Sequence, residues 1–233
     1  MLTLLRPKGG GGGGGGGEAA RFVGSVAKSG TTSCVTTMPV ALPSNVNAGE
    51  LLFGLLHYTS NSSRDFEDAP EGWQHASFNL NLGDHHVFLW RVADGSEEAT
   101  VTVQLTSGCV RWTAIATRIE GAHGDVEVEF GPRIIAGTKS PNPPELTFPW
   151  VGPTLVVATV GTRDLRSFSA APADYVDLEQ HSNSVTGSNL SSSVAWAHRA
   201  VDQASEDPGA FTMTENTVDP SVAVTVGIRS ASG

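Results

Sequence analysis

Apolar and polar residues alternate one by one over several stretches of the chain. From Ala99 to Leu105 the alternation sets Val101, Val103 and Leu105 on one face and Thr100, Thr102 and Gln104 on the other. The period of two predicts half-buried β-strands, because successive side chains of an extended chain point to opposite faces. Asp125 to Phe130 repeats the pattern with Val126, Val128 and Phe130, and Ser221 to Ile228 repeats it with Val222, Val224, Val226 and Ile228. Val87 to Val92 is less patterned and reads as a strand buried on both faces. No stretch holds a stripe of period 3.6 over three turns, so the pattern predicts an all-β protein.

The strand signals also recur. Gly49 to Tyr58 resembles Pro153 to Thr162, and Ala69 to His75 resembles Ala171 to Asp177, with Trp73 in the place of Tyr175. Leu89 to Glu98 resembles Ala197 to Glu206, and Thr113 to Ala122 resembles Val222 to Ala231. The four pairs keep their order at offsets of 102 to 109 residues. This predicts a jelly-roll-like antiparallel β-sandwich with an internal pseudo-two-fold repeat, its halves spanning about 45–122 and 149–231. Each half would then add strands to two shared facing sheets. The alternative is two small sandwiches side by side. The Pro-rich stretch from Gly131 to Pro149 reads as the connector between halves.

Ahead of the sandwich, assigned to residues 21–233, lies an arm, residues 1–20, containing nine consecutive glycines from Gly9 to Gly17. A phosphate-binding loop requires a preceding strand and a closing lysine and hydroxyl; here Glu18 follows and no strand precedes. Glycine loses much entropy on ordering and has no side chain to bury. An ordered tract therefore needs backbone partners from other chains, and extended it reaches about 28 Å at roughly 3.1 Å per residue. Met1, Leu2, Leu4, Leu5, Gly9, Gly13 and Gly17 are the expected assembly and anchoring residues.

Composition narrows the function. The 233 residues are 39% hydrophobic and only 16% charged, which requires a surface rich in Ser, Thr, Asn and Gly. The net charge of -10 argues against nucleic-acid binding, which needs a basic footprint. No apolar run is long enough for a membrane-spanning helix, and MLTLLRPK is too short in apolar residues for a secretory signal, so synthesis in a cytoplasm is expected. Cys34 and Cys109 have no metal spacing and are read as small buried residues, with one disulfide as the alternative.

Candidate chemistry is sparse. Asp84-His85-His86 is the best metal candidate, but neighbouring strand residues face opposite ways, and the segment is read as a polar loop opening the strand at Val87. His123-Gly124-Asp125 reads as a turn. Glu67, Asp68, Glu97 and Glu98 offer carboxylates, yet Asp94-Gly95-Ser96-Glu97 recurs near Asp202 to Glu206, which favours turn chemistry over a unique active site. Neither an enzymatic activity, a cofactor nor a metal is expected.

Four groups of residues carry a resemblance: Gly49 to Leu52; Pro70, Gly72 and Trp73; Trp90 to Glu97; and Arg118 to Ala122. Over roughly residues 22–230 the chain resembles a β-sandwich module common in structural proteins of tailed bacteriophages. The resemblance implies a virion component, often oligomeric, attached by a terminal segment, with no catalytic residues; Trp73, Trp90 and Arg91 belong to the core and its rim. The expected function is a structural virion protein anchored by its arm and displaying the sandwich as a tail fibre or spike type adhesion protein. Its expected partners are other virion proteins, itself (a trimer suits an axial glycine segment) and a host cell-surface glycan. His57, Tyr58, Asn61, His181 and Asn183 are the expected surface recognition residues. A capsid decoration or cement protein and a free carbohydrate-binding module are the alternatives.

Overall fold

The computed structural model describes residues 19–60, 66–80, 84–105, 110–123, 127–131, 134–183, 191–215 and 219–231. The described residues form strands and turns, with no helix. The first half carries β1 (Arg21–Val35), β2 (Thr37–Ala41), β3 (Leu51–Ser60), β4 (Phe66–Asp68), β5 (Gln74–Leu80), β6 (Asp84–Val92), β7 (Thr100–Leu105) and β8 (Val110–Glu120). The second carries β9 (Val128–Phe130), β10 (Ile134–Thr138), β11 (Leu146–Thr147), β12 (Thr154–Thr162), β13 (Phe168–Ala170) and β14 (Val176–Ser182). It ends with β15 (Ser193–Val201), β16 (Ser205–Glu206), β17 (Thr212–Met213) and β18 (Asp219–Arg229).

The described residues form five antiparallel sheets. The first half forms a large sheet in the order β1-β8-β3-β6-β5 and a small one, β2-β7-β4. The second half forms a large sheet, β10-β18-β12-β15-β14, with β9 also on β18, and two small ones, β11-β16 and β13-β17. No sheet among the described residues mixes strands of the two halves, whereas the sequence reading had the halves share two sheets. The stretch read as a bare connector carries β10 and β11, both paired inside the second half. Pro141, Pro143, Pro144 and Pro149 are compatible with this because they fall between the paired residues rather than inside a central ladder.

The layers follow from which faces are apolar. Leu51, Phe53, Leu55, Phe88, Trp90 and Ile115 of the first large sheet pack against Leu155, Val157, Trp196, Val224 and Val226 of the second, forming the central core. The opposite face of the first large sheet packs Leu56, Tyr58, Val87 and Trp112 against Met38, Val40, Val103 and Leu105 of the small sheet. The second large sheet likewise covers its outer face with Leu146, Phe148, Phe168, Phe211 and Met213. The order is small sheet, large sheet, large sheet, small sheets. Strands inside a large sheet are therefore covered on both sides: every residue of β12 is buried, and so is Leu51 to Thr59 of β3. The outer β7 keeps its alternation, burying Val101, Val103 and Leu105 as its pattern predicts. Val222, Val224, Val226 and Ile228 do face the core, but Ala223 and Thr225 between them are buried too. Each fully buried Leu, Phe or Val contributes about 1.5–3 kcal/mol.

Candidate functional site

The residues nominated for surface recognition divide by burial. His57, Tyr58 and Asn183 are fully buried, so none of them is a surface contact; His181 is half-buried on β14, and Asn61 lies outside the described residues. The physical reason is that β3 does not end at His57. It runs on to Ser60 between β6 and β8, pairing His57 with His86 and Thr113, and Tyr58 with His85 and Trp112. A polar Thr-Ser-Asn run after an apolar strand looks like a loop, yet here its start is ladder. Met1, Leu2, Leu4, Leu5, Gly9, Gly13 and Gly17 lie outside the described residues. So does Cys109, and the side chain of Cys34 does too.

Asp84-His85-His86 opens β6 rather than a loop, and all three residues are buried. Strand alternation sends the two imidazoles apart, as expected: His85 stacks on Tyr58 with ring centroids 4.4 Å apart, towards the outer layer. His86 turns to the centre, where its Nδ1 lies 3.5 Å from Nδ1 of His57. Its Nε2 lies 3.2 Å from the hydroxyl of Thr159, which donates to the Val224 carbonyl at 2.9 Å. Gly161 faces this pair across the central layer. A Cβ built there would stand 2.7 Å from Nδ1 of both rings, so the imidazoles occupy the space that any side chain at 161 would need.

Electrostatics keep the two central imidazoles uncharged. Burial pushes His57 down from its ordinary 6.5 to about 3, with the neighbouring His85 acting in the same direction and the carbonyls of Thr162 and His85 opposing it. Burial and then His57 hold His86 well below its usual value. Burial raises Asp84 from 3.8 to about 6, opposed by Arg163, whose Nε is 3.6 Å away, and reinforced by Asp164. Around the cluster, Thr113 donates to the Ser192 carbonyl at 2.9 Å and Ser192 donates to the His57 carbonyl at 3.1 Å. These bonds stitch β3 and β8 of one half to the segment before β15 of the other. Among the described residues no three His, Cys, Asp or Glu side chains are grouped to hold a metal ion. What the arrangement can do is fix the two halves against each other.

The remaining nominated carboxylates shape turns. Glu97 accepts from the backbone of Asp94 at 2.7 Å and of Gly95 at 3.0 Å, while Asp94 accepts from the backbone of Ser96 at 2.8 Å. Asp68 accepts from the Ala69 backbone at 2.8 Å; the side chain of Glu67 and Asp125 fall outside the described residues. The His123 backbone donates to the Arg229 carbonyl at 3.0 Å, tying the first half to the second. Trp90 is core, and Arg91 caps the half-buried Trp73 with its guanidinium carbon 5.9 Å from the ring centre.

The root of the arm is pinned. The buried Ala20 donates its backbone N–H to the Ser230 hydroxyl at 2.9 Å. Ser230 also bridges to Ala122, and Ala231 donates to the Gly121 carbonyl at 2.7 Å. The point where residue 19 leaves the sandwich, the last described strand and the junction between halves thus meet at one end. Sequence reasoning missed this knot, and it missed Asp177 and His198, which meet at 3.1 Å on the opposite sheet edge. The available signal was the repeat itself, which aligns His198 with Trp90 and so marks a polar residue at a core position. No protein-family model, no curated protein and no solved structure matches the chain.

Proposed function

We propose that the chain is a structural component of a tailed-bacteriophage virion, anchored by residues 1–20 and displaying its sandwich on the particle surface as a tail fibre or spike type adhesion protein. The motif resemblance motivates this reading. The observation that carries it is the pinned arm root: an anchor transmits position only if it leaves a rigid body at a fixed point. Ala20, Ser230 and the Gly121–Ala231 contact supply that point. In the particle Gly9 to Gly17 would run extended against other chains, where missing side chains permit close backbone approach.

The sandwich itself is proposed to be a duplicated jelly-roll-like unit. Matching β1, β3, β5, β6 and β8 with β10, β12, β14, β15 and β18 makes the two large-sheet orders identical. Registers agree as well: Leu51 pairs with Val92 and Ile119, and Leu155 pairs with Ala200 and Ile228, the residues aligned by the repeat. The turns before β5 and β14 are alike. Trp73 donates to the Pro70 carbonyl at 2.9 Å with Gly72 at φ 78°, and Tyr175 donates to Pro172 at 3.2 Å with Asp174 at φ 66°. Arg91 meets Glu97 at 3.4 Å as Arg199 meets Glu206 at 3.2 Å. Within one half, β1-β8-β3-β6 faces β2-β7-β4 with β5 carried on the larger sheet, an order that supports the jelly-roll-like reading. A duplicated unit with a sealed centre gives a stiff platform suited to display.

The test is deletion of residues 1–17 from the gene in its phage, with quantitative mass spectrometry of purified particles. Loss of the truncated protein from particles, while it stays folded in lysate, supports the anchor; normal incorporation overturns it. Copy number assigns the place: a few or tens per particle for a fibre or spike, hundreds for a decoration protein.

A further inference from the structure

Where the two large sheets face each other, their edges form two seams, and the two differ. On one seam Phe130 of β9, opposite Val226 of β18, fills the gap with its ring 5.8, 5.1 and 5.4 Å from the rings of Phe78, Phe88 and Trp90. The corresponding position on the other seam, opposite Thr117 of β8, is the exposed Ser25. There the seam stays open as a cleft of about 330 Å³ lined by Phe22, Ser25, Thr117, Asp177, Glu179 and His198, among others. That volume lies at the lower end of small-molecule sites, roughly 300–1,000 Å³.

The lining is built rather than merely unfilled. His198 is buried and its Nε2 meets a carboxylate oxygen of Asp177 at 3.1 Å, while its ring packs on Phe22 at 4.2 Å between centres. Asp177 holds φ 53° at an irregularity in the β14–β15 pairing, a left-handed conformation that costs energy for a residue with a side chain. Ser25 donates to Glu179. Among the lining residues none is Lys or Arg, so nothing there neutralises an anion. With the Ser25 proton on Glu179 and the His198 Nε2 proton on Asp177, what the cleft offers a ligand is acceptors, chiefly the remaining lone pairs of the two carboxylates and of the serine oxygen. Sugar hydroxyls donate to such acceptors as an ammonium does, but a sugar ring also brings a C–H face for an apolar wall. Half-buried Phe22 and Leu178 supply an apolar surface for C–H groups.

We propose that the cleft between β1 and β14 binds a small neutral polyhydroxylated ligand, of the size of one sugar ring. This stands on the seam alone and does not depend on the virion reading. The test is ¹H–¹⁵N NMR of the full chain titrated separately with glucose, galactose, mannose and N-acetylglucosamine, and with methylammonium for comparison. At least one sugar should shift the amides of Gly24, Ser25, Leu178 and Glu179, with a dissociation constant of roughly 1 mM, the level reached by about twelve heavy atoms at ordinary ligand efficiency. Ser25→Phe, which copies the Phe130 plug, should abolish the shifts and keep a dispersed spectrum. Glu179→Ala, on a half-exposed edge, should weaken binding about tenfold and serves should the first variant misfold. Sugars that shift nothing, shifts that map elsewhere, shifts that survive both substitutions, or a response to methylammonium alone would each overturn the proposal.

Discussion

Replacing Gly161 by alanine tests whether the histidine pair seals the centre of the molecule. The added Cβ would stand 2.7 Å from Nδ1 of His57 and of His86 and 2.9 Å from Cγ of His57. Real Cβ contacts are not that short, and both rings are fully buried, so the rings or the facing sheets must move. Overpacking of this kind costs about 1–3 kcal/mol. Alanine also restricts the unfolded chain, returning about 0.4–1 kcal/mol. The net loss is about 1–2 kcal/mol, and at about 2–4 °C per kcal/mol for a chain of this size the Tm should fall by roughly 2–8 °C. Gly54 is the internal control. It too sits in a buried strand, but a Cβ there meets nothing closer than Ala116 Cβ at 3.8 Å, so Gly54→Ala should leave Tm unchanged or raise it. His57→Ala removes one of the two contacts and opens space beside His86 into which its ring can turn, so that adding Gly161→Ala costs less than in the wild type and the double-mutant cycle yields about 1 kcal/mol of coupling. Thermal unfolding by circular dichroism, with urea midpoints at constant m, reads the wild type and all four variants. A Gly161→Ala protein as stable as Gly54→Ala, or a cycle without coupling, would refute the packing argument.

The same cluster gives the protein an acid-sensitive stability. His57 and His86 titrate near 6.5 unfolded and well below that folded, so their contribution is complete above pH 6.5 and is lost as pH falls from there towards about 3. Asp84, raised to about 6, acts oppositely: its contribution is present below 3.8 and lost as pH rises through 6. Urea midpoints should therefore fall on acidification below pH 6.5, and in Asp84→Asn the fall between pH 6 and 4 should steepen by up to about 1.4 kcal/mol per pH unit; a flat profile would contradict neutral burial of the imidazoles. At the paired turns, Gly72→Asp should cost under about 1 kcal/mol because Asp174 already holds that conformation, whereas Gly72→Val should cost about 2 kcal/mol, measured by urea unfolding. Phe130→Ala should cost about 2 kcal/mol by the same measurement, less than a fully buried Phe because the ring is half-buried.

The period-two pattern was readable because β7 has one wet face; its three buried residues are the three that alternation marks. It failed where strands are covered twice. Nothing in a linear pattern distinguishes His57 continuing a ladder from His57 opening a loop, since what buries it is Gly161, 104 residues away. The repeat was legible at its best-kept segments, Leu51 to Tyr58 and its counterparts, but not at its edges. Edge strands β1, β2 and β10 tolerate Gly, Pro, Ser and Lys because, among the described residues, one side of each has no ladder partner, so their sequences drift towards loop composition. The turn reading of Asp94 to Glu97 succeeded for the opposite reason: Asx and capping hydrogen bonds are local and leave a local signature.

The proposed duplication also says where asymmetry should be sought. Two identical units packed face to face would place identical residues at equivalent points, and a large side chain near the axis would then meet its own copy. Here His57 stands at the position that the repeat matches with Gly161, and the two face each other; the missing side chain at 161 leaves the room that the imidazoles of His57 and His86 fill. That divergence serves packing, and its neighbours are neutral and enclosed. At the seams the divergence runs the other way. Phe130 closes one edge with aromatic contacts, while Ser25 leaves the other edge open and surrounds it with a carboxylate–imidazole pair and a strained backbone. Selection for stability alone would favour an aromatic plug at both edges, since closing the gap buries apolar surface at about 25 cal/mol per Å². The polar cleft stands where the other seam is closed, and that difference between the edges is what the proposed ligand site rests on.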